Sequence, residues 1–109
     1  MRALITGING FIGSHVAKRL LDENIDIIGL DNGYTATDKA LKDVPIIEGD
    51  ITKYNDIEKC GKCDIVMHCA GILGTNEIAE MGIINKANDV NINGTVNLLE
   101  YCRKHKKFR

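Results

Sequence analysis

No apolar run in this chain approaches the ~20 residues a membrane-spanning helix needs. Charge of one sign is also missing: 14 Lys and Arg stand against 15 Asp and Glu, a net charge of −1. No field therefore draws the chain to nucleic acid or to a membrane surface, and neither is expected as a partner. The amino-terminal residues reach Gly7 before an apolar stretch of useful length develops, so no signal peptide is expected. Cysteine is scarce. Cys60, Cys63, Cys69 and Cys102 are too few for a disulfide framework, and reduced thiols in a cytoplasmic protein are expected. Internal repeats, low-complexity segments and linkers are absent. What remains is an ordinary globular composition, 44 % hydrophobic and 27 % charged. Its 109 residues suffice for one domain with a thin stability margin.

The pattern along the chain alternates. Residues 2–6 are a short apolar run ending in a glycine turn, which predicts a buried strand. From Phe11 the spacing becomes helical, with Ile12, Val16, Leu20 and Ala17, Leu21 on one face, and Asn24 as the stop. Residues 25–31 predict a second strand ending in an acid. Residues 37–42 leave room for one helical turn. Residues 45–50 predict a third strand, with Pro45 tolerated at its first position. A short helix over 55–60 precedes a fourth strand and its exit turn over 64–71. Residues 71–84 read as a loop with weak helical character, followed by a long helix from about Asn85 to Lys104. Strands apolar on both faces and separated by helices predict a parallel sheet covered on both sides. Right-handed crossovers then predict the strand order 3-2-1-4, part of a doubly wound Rossmann-type α/β sheet.

Gly7, Gly10 and Gly13 carry the chemistry of the first turn. A strand enters, an amphipathic helix leaves, and Asp31 follows eighteen residues after Gly13 at the end of the next strand. That context separates a phosphate cradle from a mere turn. Gly7 turns the chain off the strand, Gly10 lets a pyrophosphate approach the backbone, and Gly13 lets the helix pack closely. Unpaired N–H groups and the positive end of the helix dipole would then face the phosphates. Asp31 would accept hydrogen bonds from a ribose diol and repel a 2′-phosphate. Asn32, Gly33 and Tyr34 follow it with no cation among them, which favours NAD over NADP.

Five ordered motifs now identify a resemblance. They are Thr6-Gly-x-x-Gly-x-x-Gly13, Asp31, Gly49-Asp50-Ile51, the run from Val66 to Gly71, and Val90-Asn91-x-x-Gly94-Thr95-x-Asn97-Leu98-Leu99-Glu100. The chain resembles, over essentially its whole length, the NAD-dependent epimerase/dehydratase family, the extended short-chain dehydrogenases that act mostly on nucleotide sugars. The resemblance implies that Gly7, Gly10, Phe11, Ile12 and Gly13 form the pyrophosphate turn, and that Asp31 and Asn32 hold the adenosine ribose. It implies that Asp50 and Ile51 meet the adenine, and that Cys69, Ala70 and Gly71 pass beneath the ribose and nicotinamide. Asn91 would tie the long helix to the neighbouring strands. Ala70-Gly71 stands where the family more often has Ala-Ala, a mild departure.

The larger departure concerns catalysis. The family's Tyr-x-x-x-Lys pair, with an upstream Ser or Thr, has no counterpart here. Four residues beyond Tyr34, Tyr54 and Tyr101 lie Asp38, Glu58 and His105. The residues Lys107-Phe108-Arg109 fall where a fifth strand would begin. The expectation is a partial NAD(P)-binding domain over 1–109, the N-terminal part of a longer nucleotide-sugar oxidoreductase, inactive alone and without its substrate domain. No catalytic residue and no metal ligand is assigned. The alternative is a non-enzymatic module of the same fold that senses a dinucleotide or binds a partner.

Several other features have plain readings. Cys60-Gly61-Lys62-Cys63 lacks the second ligand pair of a zinc site and reads as a turn with two thiols. His68 reads as a packed, hydrogen-bonded histidine, and His15 lies on the first helix with no partner in view. Thr75 or Asn76 could offer hydrogen bonds to a sugar, or belong to an ordinary connection. The basic run from Arg103 to Lys107 offsets the negative end of the long helix. That helix carries one apolar line of Val90, Gly94 and Leu98 and another of Ile92, Val96 and Leu99. Two such lines predict two buried faces, one on the sheet and one on a missing part or a partner, with a homo-oligomer as one possibility.

Overall fold

β1 (Arg2–Thr6) lies at the centre of the sheet because it is apolar on both faces: Ala3, Leu4 and Ile5 are each 0 % exposed. It pairs in parallel with β2 (Asp26–Asp31) on one side and β4 (Ile65–His68) on the other. β2 in turn pairs with β3 (Ile46–Glu48), giving the order β3-β2-β1-β4. This is the expected half of a doubly wound sheet. The structure, a computed structural model, describes residues 1–34 and 41–105, with residues 75–77 as backbone only. The helical turn expected over 37–42 falls largely outside these residues, as do Lys106 to Arg109.

Alternation along β1 divides the interior in two. Ala3 and Ile5 face α1 (Phe11–Asp22) and pack with Ile8, Ala17, Ile27 and Val44. Leu4 faces the other way, into a larger cluster with Ile28, Leu30, Ile57, Val90, Leu98 and Tyr101. Helices on both faces follow from strands that bury both faces. On α1, Ala17 is buried while Ile12 and Leu21 stay exposed, so its packed face is narrower than its apolar spacing suggests. α1 stops where expected: Asn24 takes a left-handed conformation (φ 58°), and the Ile25 N–H returns to the Leu20 carbonyl.

β3 is shorter than its sequence signal. Past Glu48 the Gly49 N–H still donates to the Asp31 carbonyl, but the chain then turns into α2 (Tyr54–Glu58). Between β4 and the long helix the chain forms α3 (Thr75–Glu80), and Gly82 (φ 63°) marks the break that follows. The long helix spans nearly the expected range but is not uniform. α4 (Ile84–Asn88) runs into a π-helical turn over Asp89–Asn93 and then α5 (Gly94–His105).

Tertiary contacts are made from the middle of the π turn and from the residue that follows it. Asn91 accepts from the Ile72 N–H at 2.8 Å and donates to its carbonyl at 2.9 Å. A Cβ at Gly94 would fall 2.5 Å from Ile51 Cδ1. The helix is thus held at both ends of one turn, and a widened turn accommodates both contacts. Beyond it, the line of Val90, Gly94 and Leu98 is buried. Ile92, Val96 and Leu99 remain 55 %, 56 % and 59 % exposed.

The amino end of the sheet is closed. The Arg2 N–H donates to Asp64 Oδ2, and Arg2 Nη1 donates to the Cys60 carbonyl. The Tyr101 hydroxyl donates to the Gly61 carbonyl. Cys60 and Cys63 are buried beneath α5, and burial pushes the Cys60 thiol up to about 11 and raises that of Cys63. These cysteines are free thiols, and among the described residues no His, Cys, Asp and Glu cluster could hold a metal ion.

Candidate functional site

At the carboxyl end the turn after β1 is built around steric necessity. Gly7 has φ 66°, and a Cβ there would lie 2.8 Å from the Ala70 nitrogen, so the exit of β4 passes directly against it. A Cβ at Gly13 would lie 2.0 Å from the Gly7 carbonyl oxygen, which lets α1 rest on the turn only while Gly13 is bare. Gly10 is the N-cap of α1 and supplies no side chain, so no side-chain oxygen satisfies the first-turn N–H groups. An uncapped helix start beside a glycine turn is a ready anion site.

Gly7 and Gly10 open onto a cleft of about 610 Å³, counting its open mouth. Of the other sequence-predicted residues, Asp31, Asn32, Ile51, Cys69, Ala70 and Gly71 line this cleft. Gly13 lies behind it under the turn. Phe11 and Ile12 sit on the first turn of α1 with side chains 82 % and 61 % exposed, so only their backbone suits the role assigned to them. The Phe11 ring packs on His15 with centroids 4.7 Å apart, and His15 Nδ1 lies 2.6 Å from the Phe11 carbonyl oxygen, giving that histidine its partner.

Asp31 is held firmly. Its Oδ2 accepts from the Asn9 N–H and its Oδ1 from the Gly33 N–H, both at 2.9 Å. Asp31 and the glycine turn are therefore one unit. A carboxylate has about four lone-pair sites, so each oxygen keeps capacity for a diol. Asp50 is placed differently. It does not line the cleft; its Oδ1 accepts from the Thr52 N–H and hydroxyl, and its own N–H donates to Asp56 Oδ2. It shapes the turn into α2. Ile51, next to it, does reach the cleft.

Beneath the exit of β4 runs a relay of hydrogen bonds. The Thr6 hydroxyl oxygen accepts from the Cys69 and Ala70 N–H groups. Its one proton then goes to His68 Nδ1, 2.7 Å away. His68 must carry its proton on Nε2, which donates to the Thr95 hydroxyl at 3.0 Å, and Thr95 donates to the Asn91 carbonyl. Burial lowers the His68 pKa in keeping with this neutral ring. The histidine is a structural tie that holds Cys69-Ala70-Gly71 against the cleft.

Leu30, Tyr34, Gly49, Ile72, Lys86 and Val90 complete the cleft lining, and none of them is given a site role by the sequence, although Gly49 and Val90 belong to the motifs that carry the resemblance. Leu30 directly precedes Asp31 and was within reach. Lys86 has no local signal, since it comes from α4 and meets Tyr34 only in the fold. The side chains of Thr75 and Asn76 lie outside the described residues.

A parallel sheet ordered β3-β2-β1-β4, a glycine turn leaving its central strand and an acid closing the next define a Rossmann-type α/β protein. The chain belongs to the NAD-dependent epimerase/dehydratase family, whose model matches residues 3–109. It is 36 % identical over 111 residues to a UDP-N-acetyl-alpha-D-glucosaminuronate decarboxylase of Bacillus cytotoxicus, covering 97 % of this chain and 34 % of that protein. The Thermus thermophilus UDP-glucose 4-epimerase in complex with NAD is similar at a TM-score of 0.86 and 32 % identity, over 97 % of this chain and 35 % of its own. The Bifidobacterium longum UDP-glucose 4-epimerase in complex with NAD+ and UDP gives a TM-score of 0.86 at 29 % identity, over 97 % and 34 %. The chain spans about a third of the length of these relatives. Among its described residues no helix is long and apolar enough to cross a membrane.

Proposed function

We propose that the chain supplies the dinucleotide-binding N-terminal portion of a nucleotide-sugar oxidoreductase of the epimerase/dehydratase type, with NAD as cofactor. One observation carries this reading: the uncapped start of α1, the bare turn at Gly7 and Gly10, and the anchored Asp31 share one cleft. The donor set fits a dinucleotide at each point. Backbone N–H groups of the first turn of α1 suit the pyrophosphate. Asp31 and Asn32 suit the ribose hydroxyls. Ile51, Ile72 and Val90 give the cleft an apolar wall. NAD, when bound, would supply hydride acceptance from the sugar and usually its return. The residues of this chain would bind and orient the cofactor, and His68 would hold the strand exit beneath it.

The same residues argue that this part is inactive alone. The Tyr54 hydroxyl donates to Glu58 at 2.6 Å, and that carboxylate pushes its pKa up to about 12. Tyr101 is buried on the Gly61 carbonyl. Tyr34, at the cleft rim, has no lysine four residues on. The free thiols are compatible with a cytoplasmic protein. The exposed line of Ile92, Val96 and Leu99 favours a protein contact through α5, as a homo-oligomer.

Isothermal calorimetry of the folded chain with NAD tests the first claim: one site per chain is expected, with no turnover of UDP-sugars. A folded chain giving no heat with NAD overturns the cofactor reading, and turnover by the pure chain overturns the inactivity. Light scattering on the same sample tests the contact through α5, and a strict monomer at high concentration counts against it.

A further inference from the structure

We propose that Lys86 is a cofactor-specificity residue, which sets a positive charge against Asp31 and lets the cleft accept a dinucleotide bearing a 2′-phosphate. The inference rests on the dinucleotide reading above and refines it. By chain order, Asp31 stands without a neighbouring cation, and its fixed carboxylate would repel a 2′-phosphate. The fold changes that environment. Lys86 lines the same cleft from α4, with Nζ 3.7 Å from the centroid of the Tyr34 ring. Tyr34 is three residues beyond Asp31 and belongs to the same tight turn: its N–H donates to Asn32 Oδ1 at 3.0 Å, and the Gly33 N–H donates to Asp31 Oδ1. The ring therefore holds the ammonium in the cleft that Asp31 also lines.

Two further features point to a ligand role. Lys86 is the basic residue among the described residues lining the cleft, and it forms no ion pair with a described carboxylate. Its partner is the face of an aromatic ring, a weaker contact than a charge-assisted hydrogen bond to phosphate. A 2′-phosphate at the ribose would thus draw the ammonium off the ring with a net gain. A lysine is a flexible point charge and lacks the fork of an arginine, so it confers tolerance of the phosphate without a demand for it. The expected consequence is weak discrimination between NAD and NADP despite Asp31. Tyr34 is a positioning residue that acts through Lys86.

The test is the ratio of Kd for NADP to Kd for NAD, measured by calorimetry on the folded chain. In Lys86→Met the ratio should rise about tenfold, the effect of one such contact. Lys86→Arg should keep the ratio at or below its original value, because the guanidinium fork binds phosphate at least as well. Tyr34→Phe, which keeps the ring face, should keep the original ratio, while Tyr34→Leu should raise it by a smaller factor. An unchanged ratio in Lys86→Met, or an equal loss for both cofactors, overturns the proposal. If the unaltered folded chain binds neither cofactor, the dinucleotide reading itself falls and takes this one with it. If it binds NAD and the ratio ignores Lys86, only the specificity claim falls.

Discussion

The amino and carboxyl ends of the sheet each carry a tight turn with a left-handed glycine, Gly61 (φ 71°) at one end and Gly7 (φ 66°) at the other. Around Gly61 the polar groups close on one another. Its carbonyl takes the Tyr101 hydroxyl, the neighbouring Cys60 carbonyl takes Arg2, and two thiols are buried alongside. Around Gly7 they do not close. Gly10 leaves the start of α1 uncapped, and the anchored Asp31 keeps lone pairs toward the cleft. The same backbone device therefore serves packing at one end and, in the proposed function, binding at the other. The difference is whether side chains from distant elements arrive to satisfy the exposed groups. Tyr101 arrives over Gly61, whereas no side-chain oxygen caps the start of α1 at Gly10.

The contrast can be broken most severely at Tyr101, which is 1 % exposed. Tyr101→Ala removes a buried ring and should cost about 3–5 kcal/mol, enough to unfold so small a domain. Tyr101→Phe removes only the hydroxyl, leaves the Gly61 carbonyl unsatisfied and should cost about 1–3 kcal/mol. Thermal melts measure both. Calorimetry below the melting range should find the NAD affinity of Tyr101→Phe unchanged, and a large change would mean the two ends are not independent.

Gly13→Ala probes the other end. Its Cβ would meet the Gly7 carbonyl oxygen at 2.0 Å, and the strain should cost about 1–3 kcal/mol. Here the folded fraction should also lose NAD affinity, because α1 must lift off the turn that would cradle the pyrophosphate. Gly61→Ala is the matched control, with a strained φ but only an ordinary contact to Arg2, so it should lose stability and keep affinity. Equal effects of the two on Kd would erase the distinction.

The smallest effects are on pH dependence, and they too divide by end. The Cys60 thiol is raised from 9.0 to about 11, so the folded form stays neutral while the unfolded thiol ionises. Its contribution is complete below pH 9 and is lost as pH rises toward 11. His68 is lowered from 6.5 by burial, so its contribution is complete above that pH and is lost as pH falls through the folded value. Melts across pH should therefore show an alkaline decline that Cys60→Ala reduces and an acid decline that it leaves alone. An alkaline limb indifferent to Cys60→Ala would count against the buried-thiol account.

Much of the fold was legible because its signals are local. Each strand is an apolar run bounded by turn residues, and each crossover has a helical period, so a parallel sheet in the order 3-2-1-4 followed. The glycine spacing and Asp31 were legible for the same reason, since both lie within one β-α-β unit. The long helix expected from about Asn85 to Lys104 spans nearly that range, and its π turn over Asp89–Asn93, next to contacts with Ile72 and Ile51, is a feature no local period records. Asp50 was assigned to the adenine by resemblance, and only the structure shows its Oδ1 held by Thr52, two residues on.

The amino-acid sequence by itself determined the elements, their order in the sheet, the bare glycine turn and the acid across from it. These depend on residue size, backbone freedom and periodicity over short spans. Only the tertiary structure decided which polar groups would be satisfied and which would face the cleft. Parallel crossovers bring Tyr101 to Gly61, Thr95 to His68 and Lys86 to Tyr34 from well separated parts of the chain. Electrostatics and hydrogen bonding act through space, so the place of Lys86 in the cleft was settled by folding and not by the residues that follow Asp31.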